Sequence, residues 1–215
     1  MSGVVFDVDG VLVDSEPHSR VAWVAALSAH GRAVTERDVE ACTGFGYEAT
    51  HAALTAGPGP AVPAPGELWP ELLAALAASF DRGLTAFADA VDALERLAFD
   101  GVPVAVATAS PRERLDLTLE RAGLSRRVQV SAAGDEVEHP KPAPDVYLLA
   151  ADRLGLDPHR CVAVEDTVTG ARAAVAAGMR VLGVARDPEH AGGLLAAGAA
   201  VSTSVDYELL RAWLG

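Results

Sequence analysis

Chemically reactive side chains follow several short apolar runs in this sequence. They are Asp7 and Asp9 after the run GVVF, Thr108 after VPVAVA, Lys141 shortly before a helical pattern, and Glu165 with Asp166 after RCVAV. If the runs are parallel strands, these side chains meet at one edge of the sheet, because ligands collect at the carboxyl ends of such strands. Carboxylates crowded together repel each other unless a cation binds or their protonation shifts. Oxygen donors of this kind suit Mg²⁺, so we expect a magnesium site.

Lys141 is the only lysine among the 17 lysine and arginine residues of the chain. An ammonium group is a compact point charge, whereas a guanidinium group is a planar fork, so a narrow site for one positive charge cannot accept arginine. A compositional accident in an arginine-biased chain is the alternative explanation. The acidic residues expected at the same sheet edge favour a functional role for this lysine.

The apolar runs predict a sheet that is buried on both faces. GVVF, VPVAVA, RCVAV and RVLGVA are continuous rather than alternating, which is typical of parallel strands covered by helices. Helical patterns separate them, and in SPRERLDLTLERAG we expect Ser110 as N-cap, Pro111 at the first helical position, Glu113 completing a capping box, and Gly123 as the stop. The alternation predicts an α/β fold, a doubly wound parallel sheet with a Rossmann-like core.

One region departs from this alternation. Between about 15 and 84 no strand-like run occurs, and helical patterns cover 16–30, 35–42, 46–56 and 67–82. The Pro/Gly-rich stretch AGPGPAVPAPG interrupts them as a loop. We therefore predict an α/β catalytic core of residues 1–14 and 85–215, with a small all-helical cap of residues 15–84 inserted after the first strand.

Composition limits the classes of partner. The 215 residues are 50% hydrophobic and carry a formal net charge of −13, so neither nucleic acid nor an anionic membrane is expected as a partner. A small phosphorylated metabolite remains possible if a divalent cation reverses the charge locally. Two distant cysteines, Cys42 and Cys161, and a first segment without a signal-peptide pattern suggest a cytoplasmic protein. We expect a monomer or a weak homodimer.

Four segments together resemble the motifs of the haloacid dehalogenase-like hydrolase superfamily, in their order and approximate spacing. They are FDVDGVLVDSE, VATASP, HPKPAPD and VAVEDTVTGARAAVAAGM. The helical insertion is similar to the cap of the phosphoglycolate phosphatase and β-phosphoglucomutase branch. The resemblance implies a Mg²⁺-dependent phosphatase that works through an aspartyl-phosphate intermediate.

The resemblance also implies a role for each reactive residue. Asp7 is the expected nucleophile and Asp9 the general acid and then general base, which argues against dehalogenation because a halide leaves without a proton. The phosphoryl oxygens are expected to contact Thr108, Ala109 and Lys141. The expected Mg²⁺ ligands are Asp7, the backbone carbonyl of Asp9, Glu165 and Asp166.

Two other functions are compatible with parts of the sequence. A β-phosphoglucomutase-like mutase must hold a second phosphate, yet residues 15–84 contain four arginines, no lysine and eight acids, which favours hydrolysis. A phospho-receiver-like switch would place its carboxylate pair before the phosphoacceptor in chain order and would not need the helical insertion. A catalytically silent binding protein would not need the complete set of reactive residues found here. The substrate, and the cap roles of His18 and Tyr47, stay open.

Overall fold

The computed structural model describes residues 2–215 and shows a parallel six-stranded sheet with helices on both sides. The strands are β1 (Gly3–Phe6), β2 (Val104–Ala107), β3 (Val130–Ala132), β4 (Cys161–Glu165), β5 (Arg180–Val184) and β6 (Ala200–Ser202). Their order is β3-β2-β1-β4-β5-β6, and every neighbouring pair is parallel. This arrangement confirms the predicted fold class.

Ten α-helices accompany the sheet in the described residues. They are α1 (Glu16–Ala29), α2 (Glu36–Glu40), α3 (Tyr47–Thr55), α4 (Pro65–Phe80), α5 (Ala88–Phe99), α6 (Arg112–Arg121), α7 (Asp145–Leu154), α8 (Val168–Ala176), α9 (Ala191–Ala196) and α10 (Tyr207–Leu214). Between residues 2 and 215, no helix is both long enough and apolar enough to cross a membrane.

Both faces of the sheet are covered, which explains the continuous apolar runs. In β1, Val4 and Phe6 belong to a cluster that includes side chains of α5, α6 and α10. Val5 belongs to the opposite cluster, with side chains of α7, α8 and α9. Because alternate residues of a strand face opposite sides, a central strand needs apolar residues at every position.

The strand register places the predicted reactive residues side by side. Strand β1 lies between β2 and β4, and Phe6 is paired with Val106 and with Val164. The residues that follow these strands therefore leave the sheet at the same edge. The segment that carries Lys141 leads into α7, which packs on β1, β2 and β3.

Helices α1 to α4 form a helical segment with a hydrophobic cluster of its own. Trp23, Leu27, Leu68, Leu72 and Leu76 are buried in it. The four helices match the predicted helical patterns to within a few residues. The two chain crossings are paired by a 2.9 Å hydrogen bond from the Asp14 amide to the Thr85 carbonyl. The assignment of residues 15–84 as a separate cap domain stays a prediction.

The Pro/Gly-rich loop before α4 is held by a buried arginine. The Arg32 guanidinium donates to the carbonyls of Leu54 at 3.3 Å and Pro58 at 3.2 Å, and also to those of Gly57 and Ala56. Prolines leave this loop few internal hydrogen bonds, so the guanidinium supplies its carbonyls with donors from outside the loop.

The predicted start of α6 is wrong in three respects. Ser110 does not cap the helix, Pro111 is the N-cap rather than the first helical residue, and no capping box forms. Glu113 accepts from the Trp69 indole N–H instead. The Ser110 hydroxyl instead donates to Asp9 Oδ2 at 3.1 Å, while Asp135 accepts from the Arg112 amide at 2.9 Å. The long-range carboxylate therefore competes successfully for this hydroxyl. The predicted stop at Gly123 is confirmed, with a positive φ of 69°.

Candidate active site

The Lys141 ammonium lies at the centre of the sheet edge. Its Nζ is 2.6 Å from Asp7 Oδ1, 2.6 Å from Glu165 Oε1 and 3.2 Å from the Ala107 carbonyl oxygen. The side chain is only 4% exposed. An ammonium has three N–H donors, and all three find an acceptor here. The structure therefore brings together Asp7, Lys141 and Glu165, as predicted.

Glu165 is fully buried and its two oxygens accept five hydrogen bonds. Oε1 accepts from Lys141 and, at 2.8 Å, from the Tyr147 hydroxyl. Oε2 accepts from the amides of Asp166 and Thr167 at 3.1 Å and from the Thr167 hydroxyl at 3.0 Å. This carboxylate thus fixes the lysine and the turn into α8, and both of its oxygens are engaged by protein donors.

Tyr147 is a site residue that the sequence did not reveal. It is fully buried on α7, six positions after Lys141, and the Lys141 ammonium lies 4.9 Å from the centre of its ring. Burial and the nearby carboxylates raise its pKa well above the ordinary value. The phenol therefore stays protonated and donates to Glu165.

The carboxylates beside Lys141 fit a divalent cation. Single oxygens of Asp7, Glu165 and Asp166 lie within 4.8 Å of one another. Asp166 Oδ1 is buried and has no hydrogen-bond partner among the described residues. A Cβ at position 10 would lie 2.0 Å from Asp166 Oδ2, so Gly10 lets the turn after Asp9 approach this carboxylate. Since Glu165 is already saturated, Asp7 and Asp166 have the oxygens free for a cation.

The protonation of these carboxylates shows the same need for positive charge. Burial raises the pKa of Asp7 to about 8, although the charge of Lys141 opposes the shift and those of Glu165 and Asp9 add to it. Burial, followed by the charges of Glu165 and Asp7, also raises the pKa of Asp166. A cation between the two carboxylates would stabilise their ionised forms.

Asp9 has a different environment from Asp7. Its carboxylate accepts hydrogen bonds from Ser15, from Ser110 at 3.1 Å and from Arg114 Nη2 at 2.9 Å. Burial by itself would raise the pKa of Asp9, but the charge of Arg114 and these three hydrogen bonds outweigh burial and lower it. Asp9 is therefore ionised here, the state of a general base.

The turn that carries Asp9 is held by an arginine that follows β5, two strands away from β1 in the sheet. Arg186, just after β5, donates from Nε to the Gly10 carbonyl and from Nη2 to the Val11 carbonyl, both at 3.1 Å. Its Nη1 pairs with Asp89 at 3.1 Å. Because arginine presents its donors as a rigid fork, Arg186, oriented by Asp89, sets the position of the backbone around Asp9.

A cavity of about 80 Å³ lies between the sheet edge and the helical segment. The core side contributes the predicted residues Asp7, Asp9, Thr108, Ala109 and Lys141 together with Ser110, Arg114 and Thr167. The helical segment contributes Glu16, Ser19, Trp23, Val39, Cys42, Thr43, Gly44, Phe45 and Thr50. Thr108 is almost fully buried, and its hydroxyl accepts from the Ser110 amide at 3.0 Å.

The two cap residues whose roles were open lie outside this cavity. His18 Nδ1 is 2.9 Å from Ser79 Oγ, inside the helical segment. The Tyr47 hydroxyl donates to the Pro65 carbonyl at 2.6 Å, and its ring packs between Trp23 and Trp69. Both side chains therefore have packing partners within the segment.

Comparison with known proteins gives the same family as the four motifs. A family model described as haloacid dehalogenase-like hydrolase matches residues 1–178. Fructose-1-phosphate phosphatase YqaB of Escherichia coli is 32% identical over 195 residues, covering 85% of this chain and 96% of that protein. Hexitol phosphatase A of the same organism is 33% identical over 189 residues, covering 85% and 82%.

Other similar proteins differ in how much of their own length this chain covers. Protein SUPPRESSOR OF QUENCHING 1 of Arabidopsis thaliana is 35% identical over 188 residues, which is 86% of this chain and 18% of that protein. Among solved structures, CbbY from Rhodobacter sphaeroides in complex with phosphate has a TM-score of 0.84 at 28% identity, covering 97% of this chain and 96% of that one. The family predicted from the motifs is confirmed: the chain belongs to the haloacid dehalogenase-like hydrolases.

Proposed function

We propose that the protein is a Mg²⁺-dependent phosphatase that hydrolyses a small phosphorylated metabolite through an aspartyl-phosphate intermediate on Asp7. The enzyme is a phosphoric monoester hydrolase, in keeping with its family and with relatives named as phosphatases. One observation carries the finer proposal. The Lys141 ammonium bridges Asp7 and Glu165, beside a buried Asp166 oxygen that has no hydrogen-bond partner among residues 2–215.

In the first step, an Asp7 carboxylate oxygen attacks phosphorus and the bond from phosphorus to the leaving oxygen breaks. The leaving oxygen takes a proton from Asp9, so the alcohol departs neutral. Thr108, the Ala109 backbone and Lys141 contact the phosphoryl oxygens, whose negative charge spreads in the transition state. Mg²⁺, held by Asp7, Asp166 and the Asp9 carbonyl, would supply further positive charge.

In the second step, water attacks the phosphorus of the aspartyl phosphate and Asp9 accepts the proton of that water. Inorganic phosphate leaves and the Asp7 carboxylate is regenerated. The hydrogen bonds from Ser15, Ser110 and Arg114 support Asp9 as a carboxylate in this step. To act as the acid in the first step, Asp9 takes up a proton in the substrate complex.

The positions of the cap arginines favour hydrolysis over a mutase reaction. Among the described residues of the helical segment, no arginine lines the catalytic cavity. Arg20 pairs with Glu36, and Arg32 holds the Pro/Gly-rich loop. The cavity therefore offers no cluster of cations from this segment that would hold a second phosphate group.

The test compares release of inorganic phosphate with isomerisation. The protein is incubated with Mg²⁺ and a panel of sugar and polyol monophosphates, and separately with β-glucose 1-phosphate and catalytic β-glucose 1,6-bisphosphate. We expect stoichiometric phosphate release without a bisphosphate activator. Efficient formation of glucose 6-phosphate with negligible free phosphate would replace the phosphatase with a mutase.

A further inference from the structure

Arg114 is a cavity residue that the motifs do not include. It lies in the first turn of α6, and its Nη2 is 2.9 Å from Asp9 Oδ1 and 2.8 Å from Ser19 Oγ. The side chain is 14% exposed. A single guanidinium thus joins the general acid of the core to α1 of the helical segment.

Lys141, the other cation that lines the cavity, already has hydrogen-bond acceptors in the protein. Lys141 and Arg114 are the two cations among its lining residues, and the Lys141 ammonium is bound by Asp7, Glu165 and the Ala107 carbonyl. Arg114, in contrast, has a buried Nε that lacks an acceptor among residues 2–215. A buried donor without an acceptor is costly, and a ligand in the cavity could provide one.

Glu16 restricts the chemistry of such a ligand. It lies at the start of α1, lines the same cavity and adds a third carboxylate to those of Asp7 and Asp9. A ligand carboxylate beside Arg114 would meet these negative charges. A hydroxyl group avoids the repulsion, because it can accept from a guanidinium N–H and donate to a carboxylate at the same time.

We propose that Arg114 and Glu16 are specificity-determining residues that bind a hydroxyl group on the carbon next to the ester carbon of the substrate. The inference rests on the proposed phosphatase function, in which Asp9 contacts the leaving oxygen. Because Arg114 Nη2 lies 2.9 Å from Asp9 Oδ1, an oxygen one carbon away from the leaving group comes within reach of the guanidinium. The substrate class is therefore a polyol or sugar phosphate rather than a plain alkyl phosphate.

The test uses a matched pair of esters, glycerol 3-phosphate and propyl phosphate, which differ in their hydroxyl groups. The measured quantity is the ratio of their kcat/KM values, because any loss that acts through Asp9 lowers both and cancels. We expect the wild type to favour glycerol 3-phosphate by at least ~10-fold, since a site built to bind a hydroxyl rejects the analogue without it. Arg114→Met should bring the ratio close to one.

Arg121→Met is the matched control. Arg121 lies two turns further along α6 and pairs with Asp81, away from the cavity lining, so this variant should keep the wild-type ratio. A wild-type ratio near one, or a ratio unchanged in Arg114→Met, would overturn the proposal. Turnover of p-nitrophenyl phosphate by the wild type keeps the two claims apart, since its absence would instead reject the phosphatase function.

Discussion

At the scale of single residues, the site depends on the compact ammonium group of Lys141, which lies between two buried carboxylates. Lys141 reaches Asp7 and Glu165 at the same distance of 2.6 Å. Breaking a buried ion pair leaves an uncompensated charge and is strongly unfavourable. The lysine therefore has two consequences here: it allows the acids to lie close together, and it places a fixed positive charge beside the place where phosphoryl oxygens would bind.

Lys141→Arg should lower kcat by ~100-fold or more although the charge is kept. The guanidinium is larger and its donors point in a plane, so it cannot place one N–H on each of Asp7, Glu165 and the Ala107 carbonyl. Loss of a single charge-stabilising donor commonly has an effect of this size. Steady-state kinetics measures it, with thermal unfolding as the control for folding. Wild-type kcat in this variant would mean that the single lysine is a compositional accident.

At the scale of the elements, the sequence predicts the central strands and misses the short ones. GVVF and RCVAV are long enough to be recognised, whereas β3 and β6 have three residues each and partly exposed positions. The ends of β1, β2 and β4 were predictable, and with them Asp7, Thr108 and Glu165. The register then brings these residues together without further information.

Contacts between distant elements could not be predicted in the same way. Ser110 has the sequence pattern of an N-cap, but it bonds Asp9, 101 positions away in the chain. Tyr147 and Arg114 lie on ordinary amphipathic helices, and only the fold shows that they reach Glu165 and Asp9. A local sequence pattern reflects only the hydrogen bonds that neighbouring residues can form. A partner that is distant in the chain can therefore change which hydrogen bond a side chain makes.

Glu136 offers a test of how α6, β3 and α7 are held together. Its carboxylate pairs with Arg153 at 2.8 Å and Arg112 at 2.6 Å, and accepts from the Ala133 amide at 2.8 Å. The hydrogen bond from Arg153 comes first among the causes that lower the pKa of Glu136 to about 2, although burial opposes the shift. Folding is therefore favoured by the ionised form.

Glu136→Gln should lower the free energy of unfolding by about 1 kcal/mol at pH 7. This is less than the full pKa shift would give, because the side chain is 27% exposed and solvent screens its charge. The folded pKa lies below the unfolded one, so this stabilisation is present above about pH 4.5 and is lost as the pH falls toward 2. Urea unfolding at pH 7, 4 and 3 should show a difference from wild type that is largest at pH 7 and narrows at pH 4 and 3. Glu189→Gln, at an exposed turn, is the control, and a difference independent of pH would contradict the account.

At the scale of the whole molecule, charge sets the main problem for the proposed reaction. The chain carries a net charge of −13, and a phosphate ester is itself an anion. The catalytic cavity is lined by the carboxylates of Asp7, Asp9 and Glu16, against the two cations Lys141 and Arg114. Binding an anion there requires additional local positive charge, and the carboxylates of Asp7 and Asp166 fit a divalent cation that would provide it.

Removal of divalent cations should therefore abolish activity. We expect EDTA to stop phosphate release and Mg²⁺ to restore it, whereas Ca²⁺, which is larger and binds at longer distances, should support it poorly. Asp166→Asn should raise the Mg²⁺ concentration needed for half-maximal activity, because it removes one of the two free carboxylates. Asp152→Asn, at an exposed position on α7, is the matched control. Full activity after EDTA and exhaustive dialysis would refute a metal role.

The most direct test of the central claim is to trap the phosphorylated enzyme. Wild-type protein with Mg²⁺ and substrate is quenched in acid during turnover, digested, and analysed by mass spectrometry, with Asp7→Asn treated in parallel. We predict one added phosphoryl group on the peptide that contains Asp7. We also predict that borohydride reduces the phosphorylated carboxyl carbon of Asp7 to an alcohol, which converts the residue into homoserine. Neither signal should occur in Asp7→Asn. A wild-type enzyme that releases phosphate at full rate without label on Asp7, or an active Asp7→Asn variant, would contradict the account.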